Sequence, residues 1–135
     1  MDVIKNICSR VAVMSEGEVV ELNDVYSIFS NPQHEITKQL VRHSLNLEIP
    51  DGILGAIEGK LVKVLYRGSS ALNPVIANAI RKHQGNINIL HGRIEYIDNQ
   101  PMGILLVNIN GEKNDVANII HYLKENTAVT EVVRD

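Results

Sequence analysis

Two long apolar runs, residues 87–97 and 102–109, dominate the hydrophobic pattern and are separated by four turn-forming residues. Runs of β-branched and aromatic residues around a cluster of Asp, Asn, Gln and Pro predict a β-hairpin. Asn88, Gly92 and Gly103 interrupt its apolar pattern. A glycine inside a strand marks a bulge or the close approach of a backbone or ligand. We therefore predict that the hairpin lies in the middle of a sheet and single out Asn88 as its most informative interruption.

The pattern around the hairpin predicts one strand and one helix on each side of it. Residues 60–67 are predicted as a strand, 68–73 as a loop and 74–83 as a helix, with Asn73 as N-cap and Pro74 at the first helical position. A second helix, 112–125, and a final strand, 128–133, follow the hairpin. The inward positions of the two helices are Val75, Ile76, Ala79 and Ile80, and Val116, Ile119, Ile120 and Leu123. The order β-α-β-β-α-β predicts an α+β fold of the ferredoxin-like type.

Residues 1–45 carry shorter elements. They are a helix over 1–10, two strands around a tight turn at 15–17, a helix over 25–29 capped by Asn23 or Asp24, and a helix over 35–45. The last helix is predicted to bury Ile36, Leu40 and Val41. These pieces hold too little apolar surface for a separate core and are predicted to belong to a larger domain. Residues 46–59 contain Pro and several Gly and are predicted as a linker. The predicted division is therefore 1–45, 46–59 and 60–135.

The predicted sheet is apolar on both faces. Two helices cover only one face of a four-stranded sheet, yet residues 104–107 are all apolar, so alternate side chains point to each face. An uncovered apolar face predicts a partner. We expect a homodimer formed through the open sheet face.

Charge and composition exclude several classes of function. Residues 1–48 hold four basic and seven acidic side chains, and residues 49–135 hold nine of each. Neither part has the basic excess that binding to a phosphate backbone requires, so we expect no nucleic-acid partner. The single cysteine excludes an internal disulfide, and the five histidines show no metal-binding spacing, so no metal site is predicted. No apolar run is long enough to span a bilayer.

The N-terminal pattern resembles the C-terminal end of an ATP-binding cassette (ABC) ATPase. The order MDVIKNICSRVAVMSEGEVVE followed by VYSIFSNPQHEITKQLV carries the resemblance. It implies that residues 1–45 are the end of such an ATPase domain, with Phe29, Pro32, His34, Thr37 and Leu40 in its last helical part. The phosphate-loop pattern GxxxxGK[ST] does not occur in this chain. We therefore expect no catalytic residue and no cofactor here, with ATP and magnesium bound elsewhere in the parent protein.

The C-terminal pattern resembles the NIL domain at the end of the ATP-binding subunits of methionine importers. The residues that carry the resemblance are Asn88-Ile89-Leu90, Ile94, Tyr96, Pro101-Met102-Gly103 and Pro74. The resemblance implies an ACT-like, ferredoxin-like dimer that binds cytoplasmic L-methionine and inhibits transport. It also implies a parent protein that couples ATP hydrolysis to uptake of D- or L-methionine. That parent would lie with transmembrane permease subunits on the cytoplasmic side of the cell membrane.

A free amino acid needs donors for its carboxylate, acceptors for its ammonium group and an apolar slot for its side chain. The loop that precedes the first predicted helix offers backbone N–H groups at a helix N-terminus, where an anion is favoured. Asn88 offers both a donor and an acceptor. The predicted methionine site therefore consists of Gly68, Ser69, Ser70, Asn88, Ile89, Leu90, Met102 and Ile104.

Two other classes of function stay open at this point. A purely structural dimerisation domain fits the two-sided apolar sheet equally well. A small enzyme of the acylphosphatase type requires an Arg and an Asn on a phosphate-binding loop, and Arg67 and Asn73 flank such a loop here. Heat released on addition of L-methionine separates amino-acid sensing from both.

Overall fold

The computed structural model describes residues 2–45 and 49–135. These residues divide into two compact units, one of residues 2–45 with 96–100 and one of residues 49–95 with 101–135. The α+β class predicted from the sequence is confirmed, since helices and two antiparallel sheets account for most of the described residues.

The first unit holds a two-stranded sheet and three helices. Its elements are α1 (Asp2–Ile7), β1 (Arg10–Ser15), β2 (Glu18–Asp24), α2 (Val25–Ser30) and α3 (Glu35–Leu45). Asp24 is the N-cap of α2, as predicted, and its Oδ1 atom accepts a hydrogen bond of 2.9 Å from the Ser27 N–H. Hydrogen bonds from the Ser27 hydroxyl and N–H hold the pKa of Asp24 below its usual value. A charged carboxylate at this position also suits the helix dipole.

The buried face of α3 differs from the prediction. Thr37, Val41 and Leu45 are buried, whereas Leu40 is 44% exposed. Residues four apart lie almost above one another on a helix, so the buried face follows the 37–41–45 row and leaves Leu40 beside it. The assignment of Leu40 to the core was therefore wrong.

The second unit holds a four-stranded antiparallel sheet, apart from the hairpin tip at residues 96–100. Its elements are α4 (Asp51–Leu54), β3 (Lys60–Arg67), a 3₁₀ helix (Gly68–Leu72), α5 (Val75–Lys82), β4 (Asn86–Ile97), β5 (Gln100–Asn110), α6 (Lys113–Asn126) and β6 (Val129–Arg134). The strand order is β4-β5-β3-β6. From β3 to β6 the elements follow the order β-α-β-β-α-β that the sequence predicted. The 3₁₀ helix lies in the predicted loop. Residues 46–48 of the predicted linker lie outside the described residues.

The core of the second unit lies between the sheet and helices α5 and α6. The four predicted inward residues of α6 are all buried, and so are Val75 and Ala79 of α5. Ile80 is 45% exposed, so its assignment to the core was wrong. The strand residues that meet these helices are Val62, Val64, Tyr66, Val107 and Ile109.

The hairpin turn is shorter than predicted. Only Asp98 and Asn99 lie outside the strands, and both have positive φ, 51° and 59°. Two consecutive left-handed residues form the turn that best matches the twist of paired strands. Gln100 and Pro101, which were predicted to lie in the turn, therefore belong to β5.

Candidate functional site

An apolar cavity of about 180 Å³ lies on the helix-covered face of the second unit. The 3₁₀ helix, the first turn of α5 and the middle of the hairpin surround it. Its lining residues are Tyr66, Ala71, Asn73, Pro74, Val75, Ile76, Ala77, Ile94, Gly103 and Leu105. The cavity is therefore assembled from segments that are distant along the chain.

Gly103 shapes this cavity because it has no side chain. It pairs with Tyr66 across β5 and β3, and a Cβ atom at position 103 would lie 3.2 Å from Cδ2 of the Tyr66 ring. Such a contact is tighter than ordinary van der Waals packing, so an alanine would push against the ring. The glycine that interrupts the apolar pattern of β5 thus leaves room for an aromatic ring beside the cavity.

The Tyr66 side chain carries a buried polar atom. The residue is only 6% exposed, and its hydroxyl has no hydrogen-bond partner among the described residues. Burial raises the pKa of Tyr66 to about 12. The phenol is therefore protonated at neutral pH, and its oxygen is enclosed by the surrounding side chains. An unsatisfied buried hydroxyl costs roughly 1–3 kcal/mol of stability.

The start of α5 has no side-chain cap. Pro74 occupies the N-cap position and makes no side-chain capping bond, so the predicted role of Asn73 as N-cap was wrong. The Val75 N–H instead bonds the Asn73 carbonyl at 2.9 Å. The first N–H groups of an α-helix lack partners within the helix and favour an acceptor or an anion. Ile76 and Ala77, which contribute two of these groups, line the cavity.

The predicted anion loop forms a 3₁₀ helix. Gly68, Ser69 and Ser70 make up its first residues, and the Ser70 hydroxyl donates to the Arg67 carbonyl at 2.8 Å. The same hydroxyl accepts a bond from the Arg67 N–H at 3.2 Å. Ser70 therefore holds the end of β3. It is the later part of this segment, Ala71 and Asn73, that lines the cavity.

Asn88 lies at the opposite end of the sheet. Asn86, two residues earlier, donates a side-chain hydrogen bond of 3.2 Å to Asn110, the last residue of β5. The 3₁₀ helix instead follows Arg67, which pairs with Met102 near the start of β5. Seven residue steps along β5 lead from Met102 to Ile109, a distance of roughly 23 Å. Asn88 and Ile89 are exposed and Leu90 is half-buried. One protomer therefore does not bring residues 88–90 together with residues 68–70.

Met102 and Ile104 point away from the cavity. Alternate residues of a strand point to opposite faces, and Gly103 and Leu105 are the residues of β5 that line the cavity. Met102 is fully buried and Ile104 is 3% exposed. These two predicted site residues thus belong to the other face of the sheet. On the same face, Leu61 and Leu106 are buried, whereas Val129 on the edge strand β6 is 39% exposed.

The structure adds Tyr66, Ile94 and Leu105 to the candidate site. The sequence carried only weak signals for them: a lone aromatic residue in β3 and the glycine that faces it in β5. The pairing of these two positions depends on the strand register, which the sequence pattern alone did not give.

The described part of the chain holds no group of three or more His, Cys, Asp or Glu side chains arranged to bind a metal ion. None of its helices is both long and apolar enough to cross a bilayer.

Comparisons with known proteins agree with one another. Residues 60–132 match the NIL domain family. Methionine import ATP-binding protein MetN 2 of Salmonella typhimurium strain LT2 is 45% identical over 99% of this chain and 40% of its own length. MetN 1 of Oceanobacillus iheyensis is 35% identical over the same shares. The chain thus spans about two fifths of the length of these relatives.

A solved structure is also similar. It is the C-terminal domain of an ABC transporter ATP-binding protein from Enterococcus faecalis, with a TM-score of 0.53 and 25% sequence identity. The match covers 62% of this chain and 92% of that domain.

Proposed function

Because this chain belongs to the NIL domain family, we propose that it is the regulatory C-terminal region of the ATP-binding subunit of a methionine importer and that it binds methionine. The observation that carries the proposal is the 45% identity, over 99% of the chain, to proteins named for methionine import. An apolar cavity of about 180 Å³ in the matching domain supports it.

In the proposed division of labour, residues 1–45 are the end of the ATPase domain, 46–59 are a linker and 60–135 sense the transported amino acid. The parent protein couples ATP hydrolysis to uptake of D- or L-methionine, on the cytoplasmic side of the membrane and together with transmembrane permease subunits. Methionine that accumulates in the cytoplasm binds the sensing domain and inhibits further transport.

Inhibition of this kind requires that methionine bind one arrangement of the parent more tightly than another. A coupling free energy of about 1–3 kcal/mol changes the equilibrium roughly 5–150-fold. Two sensing domains that associate as a homodimer would supply such alternative arrangements. The open sheet face is the proposed contact, through its exposed edge at Val129.

Isothermal titration of the 135-residue chain with L-methionine tests the proposal. We expect saturable heat at micromolar to millimolar ligand, and much weaker binding of L-lysine and L-glutamate, whose charged side chains do not suit an apolar cavity. The oligomeric state is measured on the same samples by analytical ultracentrifugation. A folded dimer that releases no heat with millimolar methionine would contradict sensing and favour the dimerisation-domain alternative.

A further inference from the structure

We propose that residues 50–58 form a strap, that the side chains of Arg134 and Asn108 clasp this strap onto the sheet face that α5 and α6 leave open, and that the clasp opens and closes without unfolding the second unit. The inference rests on the proposed division of the chain, in which the strap ends a linker between two domains. It concerns the reach of that linker and involves no ligand.

A bulge in β6 turns the Arg134 side chain onto the open face. Val62, in the core under the helices, pairs with Val132. Its neighbour Leu61 pairs with Arg134. Two steps along β6 therefore match one step along β3, which is the pattern of a β-bulge. Paired residues share a face and neighbouring strand residues do not, so Arg134 lies beside Leu61 on the face opposite to Val132.

A row formed by Arg134, Leu61 and Asn108 runs across three strands of the open face. The two polar side chains at its ends both donate hydrogen bonds to backbone carbonyls of the strap. Leu61, between them, is only 5% exposed. Because the strap is bonded on both sides of Leu61, it passes over this side chain and covers this end of the open face.

The hydrogen bonds of the clasp are strong ones. Nη1 of Arg134 donates to the Leu54 carbonyl, and Nη2 donates to the Ile57 carbonyl at 2.7 Å. The planar guanidinium presents donors in a fixed fork, and hydrogen bonds from a charged group are stronger than neutral ones. At the other end of the row, Nδ2 of Asn108 donates to the Glu58 carbonyl at 2.6 Å.

The strap has few apolar anchors of its own. The four residues of α4 are exposed or half-buried, and Ile53 is 54% exposed. The N–H groups of residues 53–57 donate to carbonyls within residues 50–54, so the strap is held together mainly by its own backbone. Segments with few buried apolar contacts open at a much lower free energy than global unfolding. The bonds from Arg134 and Asn108 therefore decide how often the strap is open.

Opening the clasp changes the length of the linker. A closed strap moves with the sheet, whereas an open strap adds about nine residues of chain, or up to roughly 30 Å when extended. In the proposed parent protein, the clasp thus sets how far the sensing domain reaches from the ATPase domain.

Amide hydrogen exchange of the 135-residue chain without ligand measures this opening. We expect the N–H groups of residues 53–57 to exchange faster than the core amides of α6. Their exchange should depend little on urea below the unfolding transition, because strap opening exposes little surface. If strap and α6 amides exchanged at the same rate with the same urea dependence, the strap would open only by global unfolding, and the proposal would be overturned.

The variant Arg134→Ala removes the fork. We expect the strap amides to exchange at least tenfold faster than in the parent chain, because hydrogen bonds to a charged group are lost. Arg134→Lys keeps the charge without the planar fork, so its exchange rate should lie between those of the parent and Arg134→Ala.

Arg81→Ala is the matched control, since Arg81 is exposed in the last turn of α5. The control should leave the strap amides at the rate of the parent chain. Circular dichroism verifies that each variant is folded. Equal strap exchange in the Arg134 and Arg81 variants would overturn the clasp.

The two proposals fail in different ways. If the chain does not bind methionine, the proposed function fails, while the clasp, which is measured without ligand, stands. If the chain binds methionine but strap exchange is the same with and without the Arg134 side chain, the function stands and the clasp is overturned.

Discussion

Replacing Gly59 by alanine is expected to lower the free energy of unfolding of the second unit by about 2–4 kcal/mol. Gly59 has a φ of +86°, a backbone conformation that L-residues with a side chain rarely adopt. An added Cβ would lie 2.5 Å from the Ile109 carbonyl oxygen and 2.8 Å from Cβ of Asn110. Both the backbone conformation and the space therefore require glycine at the entrance to β3.

The surrounding backbone has little freedom to relieve this clash. The buried Asn108 side chain donates to the Glu58 carbonyl at 2.6 Å and to the Lys60 carbonyl at 3.3 Å, on either side of Gly59. Urea unfolding followed by circular dichroism measures the loss. Gly52→Ala is the control, because no described atom lies within 4 Å of the added Cβ atom. This variant should be neutral or stabilising by up to about 1 kcal/mol, because alanine favours helix more than glycine. Equal urea midpoints for Gly59→Ala and Gly52→Ala would contradict the requirement for glycine at the start of β3.

The second large effect is expected for Leu123→Ala, with a loss of about 2–5 kcal/mol. Leu123 is fully buried among α5, α6 and the sheet, so truncation removes apolar contacts and leaves a void. The melting temperature should fall by more than about 8 °C.

Leu72→Ala removes the same atoms from a side chain that is 71% exposed and should change the free energy of unfolding by less than about 0.5 kcal/mol. Equal changes in the melting temperatures of Leu123→Ala and Leu72→Ala would contradict the packing of α6 on the sheet.

Much of the fold followed from local patterns. The order of β3, α5, the hairpin, α6 and β6 was predicted because each element has its own hydrophobic periodicity. Asp24 was predicted as an N-cap because a cap bonds an N–H group only three residues away. Leu40 and Ile80 were misplaced because the tertiary contacts, not the apolar pattern, decide which side of a short helix is buried. Asn73 was wrongly predicted as the N-cap of α5, because Pro74 occupies that position.

The candidate site was harder to predict because it depends on strand register. The pairing of Lys60 with Ile109 and of Arg67 with Met102 puts residues 68–70 and Asn88 at opposite ends of one sheet. The same register puts Gly103 opposite Tyr66 and sends Met102 and Ile104 to the other face. A shift of one residue would exchange the two faces, so composition and motif alone did not assign the lining of the cavity.

The central claim is that the NIL domain of this chain binds methionine. Its most direct test is an amide ¹H–¹⁵N correlation spectrum of the 135-residue chain, recorded as L-methionine is added. We expect saturable shifts of amide signals within residues 60–135. A spectrum that stays unchanged up to several millimolar methionine would contradict it.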